Sequence, residues 1–155
     1  MGGEVRKFYD ELRKKYPELP EFETVDHELE ISSAEADRFI IRTIRNRIKS
    51  RVDTFTSIIE DILNPDASIP NLHECNFVKD SRKRKLLELY KKMMYMYRTA
   101  EFLDIKRSEK DDIRFIKMYF RNLQYISKQM KSIASVRMDA WKNEISPYIK
   151  EEYFG

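Results

Sequence analysis

The chain has 155 residues, of which 37% are charged and 41% are hydrophobic, and its net charge is +3. Its three glycines are Gly2, Gly3 and Gly155, which excludes every motif that needs an internal glycine: phosphate-binding loops, dinucleotide-binding turns, nucleophile elbows and EF-hand loops. The single cysteine, Cys75, predicts no intramolecular disulfide and favours a reducing compartment. So high a charged fraction is typical of helices with solvated outer faces and of thermophilic, archaeal-like proteins.

Localisation follows from the hydropathy pattern. No apolar run approaches the roughly 20 residues of a membrane span, and the N-terminal residues lack the apolar core of a signal peptide. We therefore expect a soluble protein of the cytoplasm, or of the nucleus if the source is a eukaryote.

The first half of the chain predicts two helices. Residues 4–16 have apolar side chains at helical spacing, and two prolines follow them. The acidic residues 17–31 predict an extended connector or a short ordered loop. Ser32 and Glu35 have the spacing of a capping box, which predicts a helix from there to about Leu63 with an apolar stripe facing the core.

The second half predicts two more helices after a loop at residues 64–78. A helix over about 81–105, capped by Asp80 or Ser81, is apolar over most of its surface and is expected to be the most buried one. Ser108 and Asp111 form a second capping box, which predicts a helix to about Ile145. Pro147 is expected to end it, and residues 147–153 to add a last turn.

These elements predict an all-α fold, a helical bundle of three long helices plus one short N-terminal helix. No segment shows the sustained period-two alternation of a β-strand. We expect one helical domain over residues 1–155, in which 1–31 hold the short helix and the acidic connector and 32–155 form the bundle.

Positive charge is concentrated in two blocks. Residues 38–52 carry six basic and no acidic residues, and residues 79–92 carry seven basic and two acidic ones. Such blocks predict contacts with nucleic-acid phosphates or with an acidic partner. The alternative is internal pairing with the chain's own acidic segment at 18–37. The candidate contact residues are Arg38, Arg42, Arg45, Arg47, Lys49, Arg51, Lys79, Arg82, Lys83, Arg84 and Lys85.

A band of aromatic and thioether side chains nearly encircles the third predicted helix. Such residues most often pack in a core, but they are also enriched at subunit interfaces. The candidate interface residues are Tyr90, Met93, Met94 and Tyr97. Tyr119, Phe120 and Tyr125 allow base stacking, although their helical spacing favours an inward orientation.

The sequence predicts neither a catalytic set nor a metal or cofactor site. His73, Glu74 and Cys75 are adjacent, whereas a zinc site needs ligands from at least two places. The carboxylate pairs lie at predicted helix ends, where capping explains them. A di-metal bundle would need histidines within the long helices, and these have none.

The order of the segments resembles the helical domain of GINS proteins, noncatalytic subunits that bind the replicative helicase. The resemblance covers roughly residues 4–103 and is carried by FYDELRKK (8–15), IIRTIRNRIKSRVDTF (40–55) and DSRKRKLLELYKKMM (80–94). The chain departs from the family where its third helix opens with basic residues in place of acidic ones. The resemblance implies assembly with helicase and primase subunits rather than catalysis.

Three functional hypotheses follow. The first is a noncatalytic helical subunit of a nucleic-acid-processing assembly, in DNA replication, that contacts nucleic acid or acidic protein partners. The second is an RNA-binding small subunit of an RNA-guided defence complex, because the chain resembles such subunits in size and charge. The third is a helical enzyme for an anionic metabolite, which requires Arg47 or Arg51 to point inward beside a carboxylate.

Overall fold

The computed structural model describes residues 2–142 and residue 144, and within them the chain is all-α with no β-strand. The predicted all-α class is therefore confirmed, whereas the number of helices in the described residues differs from the prediction. In this part of the chain no helix combines the length and the apolar character needed to cross a membrane. The predicted helix end near Ile145, the stop at Pro147 and the last turn at 147–153 lie outside the described residues.

Six α-helices and one 3-10 turn make up the described chain. In order they are α1 (Gly2–Lys15), α2 (Phe22–Leu29), the 3-10 turn (Ile31–Ser33), α3 (Ile40–Leu63), α4 (Ile69–Cys75), α5 (Asp80–Lys106) and α6 (Glu109–Lys142). The N-terminal helix and the three long helices were predicted. The sequence did not predict α2 and α4.

The prediction of an extended connector or loop at residues 17–31 is wrong, because α2 occupies much of it. Three apolar side chains, Phe22, Val25 and Leu29, recur at helical spacing and all are buried. The Tyr9 hydroxyl group donates to the Pro20 carbonyl oxygen at 2.6 Å and ties the connector to α1. Glu30, in the left-handed region at φ 53°, ends α2 by donating its N–H to the Asp26 carbonyl oxygen.

The predicted capping box at Ser32 and Glu35 does not start a helix, since α3 begins at Ile40. Asp26, near the end of α2, accepts the Ser32 backbone N–H at 2.7 Å. Asp37 instead accepts the Phe39 backbone N–H with its side chain at 2.8 Å, just before α3. α3 therefore begins eight residues after Ser32.

The predicted loop at 64–78 contains α4, a helix of two turns. The Ser68 hydroxyl oxygen caps it by accepting the Asn71 N–H at 3.4 Å, and Pro70 lies in its first turn. Both signals were present in the sequence, but the helix is too short to show a clear periodicity. Glu74 of α4 is buried and lies 3.2 Å from Arg137 Nε of α6.

Backbone proximity divides the described chain into two compact units. Unit 1 comprises Met1–Thr54 with Met93–Gln124, and unit 2 comprises Phe55–Lys92 with Tyr125–Gly155, so far as these ranges are described. The fully buried side chains Tyr9, Ile44 and Tyr119 lie in unit 1, and Ile59 and Ile133 lie in unit 2. The single domain predicted over 1–155 remains a prediction.

The apolar stripe predicted for α3 is confirmed, whereas α5 is not the most buried helix. All eight stripe residues from Ile40 to Ile62 are buried. In α5, by contrast, Leu87, Tyr95, Phe102 and Ile105 are exposed, and Ile105 is 84% exposed. Because the apolar side chains of α5 point in every direction, packing on one side leaves the others in solvent.

Candidate functional site

Arg45 of the first basic block is an internal residue. Its guanidinium group is fully buried and donates to the carboxylates of Asp112, at 2.8 Å, and Asp104, at 2.5 Å. Asp112 is itself buried, and this burial raises its pKa while the guanidinium group opposes the rise. Arg45 therefore does not contact an external anion, which corrects its assignment as a contact residue.

Arg47 and Arg51 bind the end of α2. The Arg47 guanidinium group donates to the backbone carbonyl oxygens of Leu29, at 2.8 Å, and Glu30, at 2.6 Å. Arg51 Nε lies 3.0 Å from the carboxylate of Glu28. These contacts fall within the acidic segment 18–37, the internal partner that the sequence left open as an alternative.

The remaining cations of the first block lie against aromatic rings. Arg38 and Arg42 both lie over the ring of Phe39, at 4.6 and 4.9 Å from its centroid, and Lys49 lies 5.3 Å from the Tyr97 centroid. Arg38 and Arg42 also border a cavity of about 250 Å³. The same cavity is lined by a third cation, Arg107, and by two carboxylates, Glu109 and Asp112, of which Asp112 is already paired with Arg45.

The second basic block borders a larger groove in unit 2, here called the basic groove. Its volume is about 820 Å³. It is lined by the chain entering α5, by the first turns of α5 and by one face of α6. The lining residues are Phe77, Val78, Lys79, Ser81, Arg82, Lys85, Tyr125, Lys128, Gln129, Ser132 and Val136. Lys83 and Arg84 of the same block are outside this set.

Four cations line the basic groove without a carboxylate among its described lining residues. They are Lys79, Arg82, Lys85 and Lys128, and within the described chain none of them has an acidic side chain at ion-pairing distance. Arg82 Nη2 donates to the Ser132 hydroxyl oxygen at 2.6 Å, which fixes its guanidinium group at the groove wall. Because three of these cations also lie at the N-terminal end of α5, the helix dipole adds to their positive potential.

Two half-exposed aromatic rings border the same groove. Tyr125 is 51% exposed and lies 5.8 Å from the Lys92 ammonium group, and Phe77 is 50% exposed. The Phe77 ring packs edge-on against His73 at 5.2 Å, and His73 Nε2 lies 2.8 Å from the Ala140 carbonyl oxygen. The inward orientation that the spacing favoured holds for Tyr119, which is buried, but not for Tyr125.

The contribution of α6 to this groove was not predicted from the sequence. Tyr125, Lys128, Gln129, Ser132 and Val136 share one helical face, at spacings of three, four, seven and eleven residues. The polar residues of this face were visible in the sequence, but only the fold brings them beside the basic start of α5. Phe77 was treated as part of a loop.

The burial of the four candidate interface residues corrects part of the predicted subunit interface. Met93 is fully buried in unit 1, so it is a core residue, and Tyr90, Met94 and Tyr97 are half-buried. The exposed apolar side chains of α5 in unit 1 are Tyr95, Phe102 and Ile105. Tyr95 and Phe102 line a shallow groove of about 510 Å³.

The described residues contain no group of three or more His, Cys, Asp or Glu side chains that could hold a metal ion. His73 and Glu74 have partners on α6, the Ala140 carbonyl oxygen and Arg137, respectively. The half-buried Cys75 directs its thiol group to the Leu72 carbonyl oxygen at 3.3 Å. These three adjacent residues therefore serve the packing of α4.

The chain matches no protein-family model, no curated protein and no solved structure. The resemblance to the GINS helical domain thus depends on the three sequence segments alone. The basic start of α5, where the sequence departs from that family, is the part of the chain that lines the basic groove.

Proposed function

We propose that the protein is a noncatalytic helical subunit of a nucleic-acid-processing assembly and that the basic groove binds nucleic-acid phosphates. The observation that carries this proposal is the set of four cations that line the groove with no carboxylate among the described lining residues. Like charges repel one another, and a helix N-terminus disfavours cations. A bound polyanion compensates both effects.

The resemblance to GINS proteins narrows this proposal to DNA replication. In that setting the chain would form a helical bundle beside protein subunits such as helicase and primase. The exposed apolar residues of α5, Tyr95, Phe102 and Ile105, are suited to contacts with such subunits. Three residues of the first basic block stabilise the fold of the subunit itself, because Arg45, Arg47 and Arg51 have partners within the chain.

The RNA-binding small subunit is the second candidate function. The exposed rings of Tyr125 and Phe77 beside the cations favour it, since single-stranded RNA offers bases for stacking. It predicts preference for single-stranded RNA over duplex DNA and self-association along the RNA. The enzyme hypothesis receives less support, because Arg51 is exposed although it binds the Glu28 carboxylate, and Arg47 binds backbone carbonyl oxygens rather than a carboxylate.

The proposal is tested by measuring oligonucleotide affinity by fluorescence anisotropy at several salt concentrations. The test variant is Lys85→Glu/Lys128→Glu, and the matched control is Lys7→Glu/Lys117→Glu, which changes two exposed lysines outside the groove by the same charge. We expect the groove variant to lose more than about tenfold in affinity and the control to lose far less, since each phosphate contact contributes roughly −0.7 to −0.9 to the log–log salt slope.

Two results would contradict the proposal. One is an affinity that does not change with salt, and the other is an equal loss in the groove variant and its control. Purification from the native cell with and without nuclease then separates direct protein assembly from bridging by nucleic acid. Partners that remain after nuclease treatment are protein subunits of the assembly.

A further inference from the structure

The basic groove combines cations with exposed aromatic rings, and a nucleic-acid duplex cannot bind to both kinds of side chain through phosphates and stacked bases. Cations bind phosphates of any nucleic acid, but exposed aromatic rings gain only from bases whose faces are open. In a duplex those faces are covered by stacking. Tyr125 and Phe77 are each about half exposed, at 51% and 50%, and both line the groove that holds the four cations.

Both rings contact neighbouring residues. The ammonium group of Lys92 lies 5.8 Å from the Tyr125 centroid, and Tyr125 shares its face of α6 with Lys128. Phe77 packs against His73, which in turn contacts the Ala140 carbonyl oxygen at 2.8 Å. Trp141 continues this contact, with its ring 4.3 Å from that of His73. The packing of Phe77 against His73 reduces the side-chain entropy that its ring loses on binding.

We propose that the basic groove binds single-stranded nucleic acid, with phosphates at Lys79, Arg82, Lys85 and Lys128 and bases stacked on Tyr125 and Phe77. This inference rests on the proposed function and names its ligand class. Along α6 the groove runs from Tyr125 to Val136, roughly 16 Å at 1.5 Å per residue. Even at the 3.4 Å per nucleotide of one strand of a stacked duplex, that length holds at most about five nucleotides.

The ligand chemistry, a phosphate chain with open bases, is shared by single-stranded DNA and RNA. The groove offers hydroxyl and amide groups at Ser81, Ser132 and Gln129 that can donate to either. The experiment therefore uses both sources, as fluorescently labelled oligo-dT and oligo-U of twelve nucleotides, together with a twelve-base-pair duplex. Affinity is measured by anisotropy at low and moderate salt.

The aromatic contribution is tested with the full chain and three single variants. Tyr125→Ala removes the ring, Tyr125→Phe keeps it, and Tyr95→Ala removes an exposed tyrosine of α5 that does not line the groove. Since stacking on an aromatic ring contributes about 1–3 kcal/mol per base, we expect Tyr125→Ala to weaken single-strand binding about tenfold or more. Tyr125→Phe, which keeps the stacking ring, should retain most of the affinity that Tyr125→Ala loses, and Tyr95→Ala should bind as the wild type does.

A second aromatic variant, Phe77→Ala, keeps the test decisive if Tyr125→Ala fails to fold, which circular dichroism would reveal. Duplex binding equal to single-strand binding, with both alanine variants unchanged, would overturn the single-strand inference. The proposed function would survive that result if Lys85→Glu/Lys128→Glu still lost duplex affinity. If the wild type bound none of the three probes, the proposed function itself would fail.

Discussion

The two basic blocks look alike in the sequence but differ in what surrounds them. In the first block, Arg45 is buried between two carboxylates, and Arg47 and Arg51 bind the end of α2. In the second, Lys79, Arg82 and Lys85 line a groove that has no carboxylate among its described lining residues. A block of basic residues in a sequence therefore indicates that anions must balance its charge. Only the fold shows whether carboxylates of the chain itself provide them.

The largest expected effect tests the internal role of the first block. Replacing Arg45 by alanine leaves Asp112 buried without its cation, which should lower the free energy of unfolding by about 3–5 kcal/mol. Urea denaturation followed by circular dichroism measures this loss. The double variant Arg45→Met/Asp112→Leu should recover much of it, because it removes both charges together.

If Arg45→Ala unfolded at the same urea concentration as the wild type, the buried ion pair would have no structural role. The contrast with the second block would then disappear. Lys85→Ala provides the comparison, since it alters one exposed side chain of the basic groove. Its free energy of unfolding should stay within about 0.5 kcal/mol of the wild type.

Tyr119 adds a second internal contact to the first block, because its hydroxyl group shares the Glu28 carboxylate with Arg51. Tyr119→Phe removes the 2.7 Å hydrogen bond to Glu28 and should cost about 2 kcal/mol of stability at pH 8. Burial, and then the bond to Glu28, raises the pKa of Tyr119 above its usual value.

This pKa shift gives the stability a pH dependence of known sign. Above a pH of about 10 the tyrosine ionises in the unfolded chain but keeps its proton in the folded one. The folded state then binds more protons, so the free energy of unfolding falls as the pH rises. The gap between the wild type and Tyr119→Phe should therefore narrow between pH 8 and pH 10.5. A constant gap would show that Tyr119 titrates alike in both states.

A smaller effect is expected at Arg47, whose cation caps the last carbonyl groups of α2. Arg47→Ala should cost about 1 kcal/mol in urea denaturation, since water replaces part of the lost hydrogen bonding. Its oligonucleotide affinity should equal that of the wild type. A loss of affinity like that of the groove variant would show that the first block also contacts the nucleic acid.

The smallest effect belongs to one cation of the basic groove. Lys85→Gln should leave stability unchanged and reduce the log–log salt slope of oligonucleotide binding by about 0.7. Anisotropy titrations at four salt concentrations measure this slope. An unchanged slope, in a variant that folds normally, would mean that Lys85 meets no phosphate.

The sequence was sufficient for the helix class and for the apolar stripe of α3, because both depend on periodicity along one segment. It was also sufficient to locate the basic start of α5. It was insufficient to predict the burial of Arg45, which lies along the same edge of that stripe as Arg42 and Lys49. Whether such a residue is buried depends on Asp104 and Asp112, which lie 59 and 67 residues away along the chain.

Competition between local signals explains the other errors. Ser32 and Glu35 satisfy the capping pattern, but the Ser32 N–H is bound by Asp26 and the helix starts after Asp37. In α5 the even spread of apolar residues predicted burial on every side, and Tyr95 and Ile105 are exposed. The α6 wall of the groove required tertiary proximity that no single segment encodes.

The shortage of glycine has a consequence for protein engineering. Two helix ends place non-glycine residues at positive φ, Glu30 at 53° and Arg107 at 55°. A side chain in that conformation costs about 1 kcal/mol or more, which glycine does not incur. Glu30→Gly and Arg107→Gly are therefore each expected to raise the midpoint of thermal unfolding. Arg107 also lines a cavity with Arg38 and Arg42. A higher unfolding temperature in Arg107→Gly than in Glu30→Gly would show that this third positive charge lowers the thermal stability of the protein.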